Sequence, residues 1–274
     1  MITFPCAKIN LGLNIVSRRT DGYHNLETVF YPVDISDRIE IVAADGHTSG
    51  EEACTLEVEG MPVAGNAGDN LVVKAYKMLA KDYSLPHVRI SLCKKIPMQA
   101  GMGGGSSDCA YTIRLLNDMF GLGITTERMM EYAASLGADC AFFINPRPSY
   151  AEGIGDILQP VDIDLSGYRI VIVKPGIPVS TREAFSLITP AKPSKCCRDI
   201  VGQPIDTWRE ELANDFEKSI FALHPEIAAI KQRLYDIGAV YAAMSGSGSA
   251  LFGIFRDVPS NVTDMFGGCF VAVL

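Results

Sequence analysis

The sequence is short of the features that mark several classes of protein. Among its 274 residues no stretch approaches the roughly 18 uninterrupted apolar residues of a membrane span. The opening MITFPCAKINLGLN lacks the basic-then-apolar order of a secretory signal, which predicts a cytoplasmic chain. Basic residues are outnumbered: 24 Lys and Arg against 32 Asp and Glu give a net charge of −8, a poor basis for covering nucleic acid or an anionic membrane. No cysteine pair is spaced C-x-x-C, although cysteines stand at 6, 54, 93, 109, 140, 196, 197 and 269. In a reducing compartment they read as small buried hydrophobes rather than a disulfide framework. Histidine is scarce as well. His24, His47, His87 and His224 form neither H-E-x-x-H nor H-x-x-x-H, so zinc binding has no support. With no repeat or low-complexity tract, and with 48% apolar and 20% charged residues, what remains is an ordinary folded chain, long enough for one large domain or two modest ones.

Hydrophobic periodicity orders the rest. Ala7, Ile9, Leu11, Leu13 and Ile15 alternate with Lys8, Asn10 and Asn14, the period of a strand, so Lys8 and Asn10 point the same way. Strands are predicted near 25–34, 38–43 and 54–59, then a helix from Asp69 with Leu71, Val72, Ala75, Tyr76 and Leu79 on one face. Val88, Ile90 and Leu92 make another strand, followed by helices to about Phe120 and to Gly137, and by a strand pair over about 149–161. A domain boundary falls near residue 160, giving units 1–160 and 161–274. Beyond it the order is a strand at 168–174, a helix opened by a Ser180-to-Glu183 capping box, further helices to His224 and a Pro225-led helix to Ile237. Strand, strand, helix and strand then run to Leu274. That β-α-β-β-α-β order fits a ferredoxin-like unit, and 189–207, rich in Pro, Lys and Cys, reads as a long loop.

The densest glycine run, Gly101 to Ser107, lies between a strand and a helix. Glycines let successive N–H groups turn inward around an anion, and a helix start adds free N–H groups and its positive dipole end. The run is neither a Walker A loop nor a dinucleotide fingerprint, and a flexible turn is the plainer alternative. Asp139 follows a helix stop and precedes apolar Ala141 to Ile144; it could be a turn residue or a carboxylate with a task. Lys8 could be a solvated strand lysine or the cation that phosphoryl transfer to an alcohol needs.

Pro97-x-x-x-Gly101-Met102-Gly103-Gly104-Gly105-Ser106-Ser107 resembles the phosphate loop of the GHMP kinases, the superfamily of galactokinase, homoserine kinase, mevalonate kinase and phosphomevalonate kinase. Ala7-Lys8-Ile9-Asn10-Leu11, Arg19-x-Asp21-Gly22-Tyr23-His24, Gly137-Ala138-Asp139, Gly153-Ile154-Gly155 and Ser245-Gly246-Ser247-Gly248-Ser249 are similar to one branch of it. The acceptor of that branch is a small alcohol bearing a cytidine diphosphate group. Nearly the whole chain is covered. The resemblance implies an α+β, two-lobed fold with a ribosomal-S5-like N-terminal lobe, a ferredoxin-like C-terminal lobe and the active site between them. It implies ATP with Mg2+, a catalytic pair Lys8 and Asp139, and triphosphate binding by Pro97, Met98, Gln99, Ala100, Gly101, Met102, Gly103, Gly104, Gly105, Ser106 and Ser107. Ser107 is the candidate ligand of Mg2+. Asn10, Tyr23, His24, Thr181 and Phe185 would meet the acceptor, with cytosine packed on Tyr23 or Phe185 and His24 bonding to its edge.

The chain departs from the family where a proline is expected near Ala141 and an arginine near Glu152. A homoserine- or mevalonate-type kinase is one alternative, but such substrates carry no base for Tyr23-His24 to read. A noncatalytic RNA-binding protein is another, because a ribosomal domain shares the first lobe's fold. The net charge of −8 and the set of Lys8, Gly101 to Ser107 and Asp139 argue against it.

Overall fold

The computed structural model describes residues 1–44, 53–63 and 65–274; His47 lies outside them. Its strands are β1 (Ile2–Thr3), β2 (Cys6–Arg18), β3 (His24–Ser36), β4 (Arg38–Ala43), β5 (Cys54–Gly60), β6 (Val88–Lys94), β7 (Ser149–Glu152), β8 (Ile157–Pro160), β9 (Arg169–Lys174), β10 (Tyr241–Met244), β11 (Leu251–Phe255) and β12 (Phe270–Val273). Its helices are α1 (Leu71–Asp82), α2 (Gly104–Phe120), α3 (Thr126–Leu136), α4 (Thr181–Phe185), α5 (Cys197–Val201), α6 (Trp208–Glu211), α7 (Phe216–Leu223) and α8 (Pro225–Asp236).

These elements form two compact units that interleave along the chain. One comprises Met1–Ala7, Asp34–Met98 and Gly103–Pro146; the other comprises Lys8–Val33, Gln99–Met102 and Arg147–Leu274. The early segment joins the late one because β3 pairs antiparallel with β7, Thr28 opposite Ala151.

In the first unit the sheet runs β1-β4-β6-β5. β5 and β6 are parallel, which requires a crossover, and α1 supplies it. The helix starts at Leu71, after a 3-10 turn over Ala67–Asp69, because Asn70 caps it by accepting the Val72 N–H; its stripe of Val72, Ala75, Tyr76 and Leu79 is buried. α2 begins after Gly103 and stops at Gly121, both in the left-handed region that a residue with a Cβ disfavours.

The second unit holds two four-stranded sheets, β2-β3-β7-β8 and β10-β11-β9-β12. In the latter, β9 and β11 are central and β10 and β12 are at the edges, the ferredoxin-like order. Its core gathers Val171, Val173, Leu251 and Phe255 with Ile220 from α7 and Ile227 and Leu234 from α8. Two expectations are corrected here. The stretch 189–207 is not one loop: Cys197, Ile200 and Val201 are buried on α5, with a 3-10 turn at Ile205–Thr207. The helix expected before the last strand is a 3-10 turn over Asp264–Phe266, since Pro259 and Gly267-Gly268 leave no room for a longer one.

Candidate functional site

Strand alternation puts Lys8 and Asn10 on one side of β2, and in the second unit that side is buried, at 3% and 2% exposure. A buried ammonium needs acceptors. Lys8 Nζ donates to Asn10 Oδ1 at 2.6 Å and to the Gly101 carbonyl at 2.7 Å, and sits 5.2 Å from the centre of the Phe30 ring. Asn10 is oriented in turn, its Nδ2 donating to Thr28 Oγ1 at 2.9 Å. The Gly101 carbonyl also accepts from Ser245 Oγ at 2.9 Å. Gly101 has φ +70, and a Cβ there would lie 1.8 Å from the Ser245 carbonyl oxygen, so no larger residue fits. The Ser249 and Ala250 N–H groups reach the Gln99 and Ala100 carbonyls, each at 3.3 Å. The stretch Ser245 to Ser249 is therefore both the hairpin between β10 and β11 and a support for the middle of the glycine loop.

His24 and Phe185 come together as a stacked pair, ring centres 4.6 Å apart and planes 22° from parallel, with Phe216 edge-on to Phe185. Tyr23 stands out in solvent at 64% exposure while its N–H donates to Asp21 Oδ1. Thr181 opens α4 behind the Ser180–Glu183 capping box that the sequence announced. The aromatic rings brought together here are thus His24 and Phe185, with Tyr23 next in sequence and exposed at a turn tip.

The start of α2 in the first unit presents backbone N–H groups with no side-chain cap. A Cβ at Gly104 would meet Ile96 Cγ2 at 2.9 Å, whereas Gly105 faces open space. The Ser107 hydroxyl is buried and has no hydrogen-bond partner. Beneath this turn lies a cluster the sequence reading missed. Lys94 Nζ pairs with Asp37 and, at 2.7 Å, with Asp108 Oδ2, all three side chains buried. Asp37 Oδ1 accepts the N–H groups of Lys95 and Ile96, so the cluster ties the chain entering the loop to the first turn of α2. Burial pushes the Asp108 carboxyl up to about 7; Lys94 opposes that rise and Asp37 adds to it. A lysine ending an apolar strand was the available signal, but its partners lie 57 and 14 residues away.

A cavity of about 190 Å³ opens beside Gly105, walled by Val63, Leu71, Leu92 and Met98 with Asp69, Asn70, Lys94 and Asp108 as its polar members. Asp139 occupies the turn between the Gly137 C-cap of α3 and the buried 3-10 turn Ala141–Ile144. Among the described residues no group of three His, Cys, Asp or Glu side chains could hold a metal ion, and no helix is long and apolar enough to cross a membrane.

Residues 70–146 match the family model described as the GHMP kinases N terminal domain, and residues 198–272 match GHMP kinases C terminal. A protein of Bacteroides fragilis named 4-diphosphocytidyl-2-C-methyl-D-erythritol kinase is 52% identical over 93% of this chain and 92% of its own. One of the same name from Parabacteroides distasonis is 46% identical over 99% of this chain and 98% of its own. A crystal structure of 4-(cytidine 5'-diphospho)-2C-methyl-D-erythritol kinase superposes with a TM-score of 0.79 at 28% identity, covering 100% of this chain and 98% of that one.

Proposed function

The chain belongs to the GHMP kinases, and from that premise we propose that it transfers the terminal phosphoryl group of ATP to the 2-hydroxyl of 4-diphosphocytidyl-2-C-methyl-D-erythritol, a step of non-mevalonate isoprenoid synthesis. The observation that carries the proposal is the buried junction near the start of β2, where the Lys8 ammonium rests on the carbonyl of Gly101 within the glycine loop. A cation so placed belongs where phosphate charge develops.

Each group has a role set by its chemistry. The N–H groups from Gly103 to Ser106, ahead of the first intrahelical bond from Ser107 to the Gly103 carbonyl, would hold triphosphate oxygens, an arrangement that suits the open space at Gly105. The cavity beside Gly105 has the apolar walls and polar edge that suit a purine. Lys8 would offset charge on the phosphoryl group in flight. Asp139 would orient the acceptor hydroxyl and take its proton as the new O–P bond forms and the bond to ADP breaks. Mg2+ supplies charge neutralisation of the triphosphate when bound. The orphaned Ser107 hydroxyl fits it as a single protein oxygen, since an ion carried chiefly by phosphates and water needs no carboxylate cage. His24 and Phe185, with Tyr23 beside them, would receive the cytosine ring, and Asn10 and Thr181 the remainder of the acceptor. By this division residues 1–160 bind ATP and carry Asp139, residues 161–274 form the ferredoxin-like lobe, and the enzyme works in the cytoplasm.

The test is ADP release over a panel of alcohols with and without a cytidine diphosphate group. The cytidylated erythritol should be consumed far faster than homoserine or mevalonate. Equal rates across the panel would return the chain to a general kinase of the family.

A further inference from the structure

Asn214 stands at the crossing of three chain segments. Its own backbone neighbourhood is clamped to β2: the Leu13 N–H donates to the Ala213 carbonyl and the Asp215 N–H to the Leu13 carbonyl, both at 2.8 Å. Its side chain, 3% exposed, donates through Nδ2 to the Met244 carbonyl at 2.7 Å and the Gly246 carbonyl at 2.9 Å, while Oδ1 accepts the Phe216 N–H at 3.0 Å. Both donors of the carboxamide are thereby used and its oxygen is engaged, and the two carbonyls it holds flank Ser245. Ser245 in turn donates to the Gly101 carbonyl that Lys8 uses, and its hydroxyl lies 3.5 Å from Asn10 Oδ1, which also accepts from Lys8.

We propose that Asn214 is a positioning residue for Lys8: by fixing the peptide units on either side of Ser245, and being itself anchored to the strand that bears Lys8, it sets the position of the Gly101 carbonyl and so of the ammonium. The inference rests on the catalytic reading of Lys8. The physical basis is that a lysine side chain has many rotamers, and that a shift of about 1 Å in a reacting group can cost up to 10²-fold in rate. Asparagine is suited to the place because its amide offers two donors in one plane. Aspartate would oppose two carbonyl oxygens with a third, and alanine would leave both carbonyls buried and unmet.

The test is a double-mutant cycle on steady-state kinetics with the full chain. Asn214→Ala should lower kcat by roughly ten- to a hundredfold with KM for ATP and for the acceptor changed less than about threefold. Ser245→Ala, which removes one hydroxyl and threatens the fold less, should act in the same direction. On a Lys8→Met background, itself lowered in kcat, each change should add less than about twofold, because the group being positioned is gone. Losses that multiply on that background would overturn the proposal, as would a KM effect in place of a kcat effect. A lowered melting temperature with kcat unchanged would show a structural role and overturn it equally. If Lys8→Met alone leaves kcat intact, the catalytic reading of Lys8 falls, and the positioning role with it. That outcome is separable from additive losses, in which Lys8 stands and Asn214 does not.

Discussion

An ammonium group at 3% exposure persists because the chain brings it oxygen atoms, and for Lys8 these include Asn10 Oδ1 and the Gly101 carbonyl. Asp139 is the complementary case, a carboxylate placed by a helix stop at Gly137 and followed, after buried Cys140, by four buried apolar residues. If it orients and deprotonates the acceptor hydroxyl, Asp139→Asn, which keeps the shape and loses the base, should lower turnover by roughly 10²–10⁴. ATP affinity measured by calorimetry should stay near that of the parent. Turnover within twofold of the parent would remove Asp139 from the chemistry. At this scale the sequence is partly legible. Strand alternation places Lys8 and Asn10 on one side, but not in the interior, because their partners Gly101 and Ser245 lie 93 and 235 residues away. The same distance hides Asn214, which looks from sequence like any polar residue before a helix.

Elements carry their own consequences, because a helix end is positioned by a few local bonds. The start of α2 offers N–H groups around Gly105, where an added Cβ meets nothing within 4 Å. Gly105→Ala should therefore leave thermal stability unchanged or raised, since alanine gains up to about 1 kcal/mol over glycine inside a helix, yet weaken ATP binding by obstructing the approach of phosphate. Unchanged nucleotide affinity in calorimetry would place the phosphates elsewhere. Gly104 is a poorer probe, because its Cβ would collide with Ile96 and disturb the fold itself. The capping box of α4 makes a second case. Ser180 accepts the Glu183 N–H at 3.2 Å, and the Glu183 carboxylate accepts from Ser180 at 2.7 Å through both hydroxyl and N–H. The Ser180 hydroxyl, then its N–H, hold the Glu183 carboxyl below its ordinary value, with a smaller contribution from His224. A depressed carboxylate contributes stability that is complete above its unfolded-state pKa and fades as pH falls through the folded-state one. Acid titration followed by circular dichroism should accordingly show wild type losing an advantage over Glu183→Gln as pH drops below the carboxylate range; parallel curves would dismiss the cap. This box was readable from spacing alone because both partners sit within one turn. α5 was not, since Pro and Lys around it mask three buried apolar residues that pack through tertiary contact.

For the molecule as a whole, the balance of −8 is set against two polyanionic ligands, so recognition has to come from directed donors and stacked rings rather than from a general field. The fold class was legible because glycine loops, capping and alternation occur in one order over nearly the whole length, and the β10-β11-β9-β12 sheet realises that order. Substrate choice is the step that the whole molecule must decide, because the base and the reacting hydroxyl lie at opposite ends of the acceptor. Binding energy gained at a remote group helps hold the reacting atoms in line, so an acceptor without that group should lose rate as well as affinity. Methylerythritol phosphate lacking cytidine should then show a depressed kcat along with a raised KM. The ring contacts make the expectation specific. Phe185→Ala removes the partner on which His24 stacks at 4.6 Å, and should weaken the cytidylated acceptor by about 1–3 kcal/mol through lost stacking. Tyr23→Ala, removing a ring already 64% exposed, should cost a similar amount if that ring closes on the base, and nothing if it does not. Neither change should alter ATP affinity. An enzyme indifferent to Phe185→Ala and equally active on both acceptors would not be reading the base through His24 and Phe185, and its acceptor would have to be sought among alcohols without one.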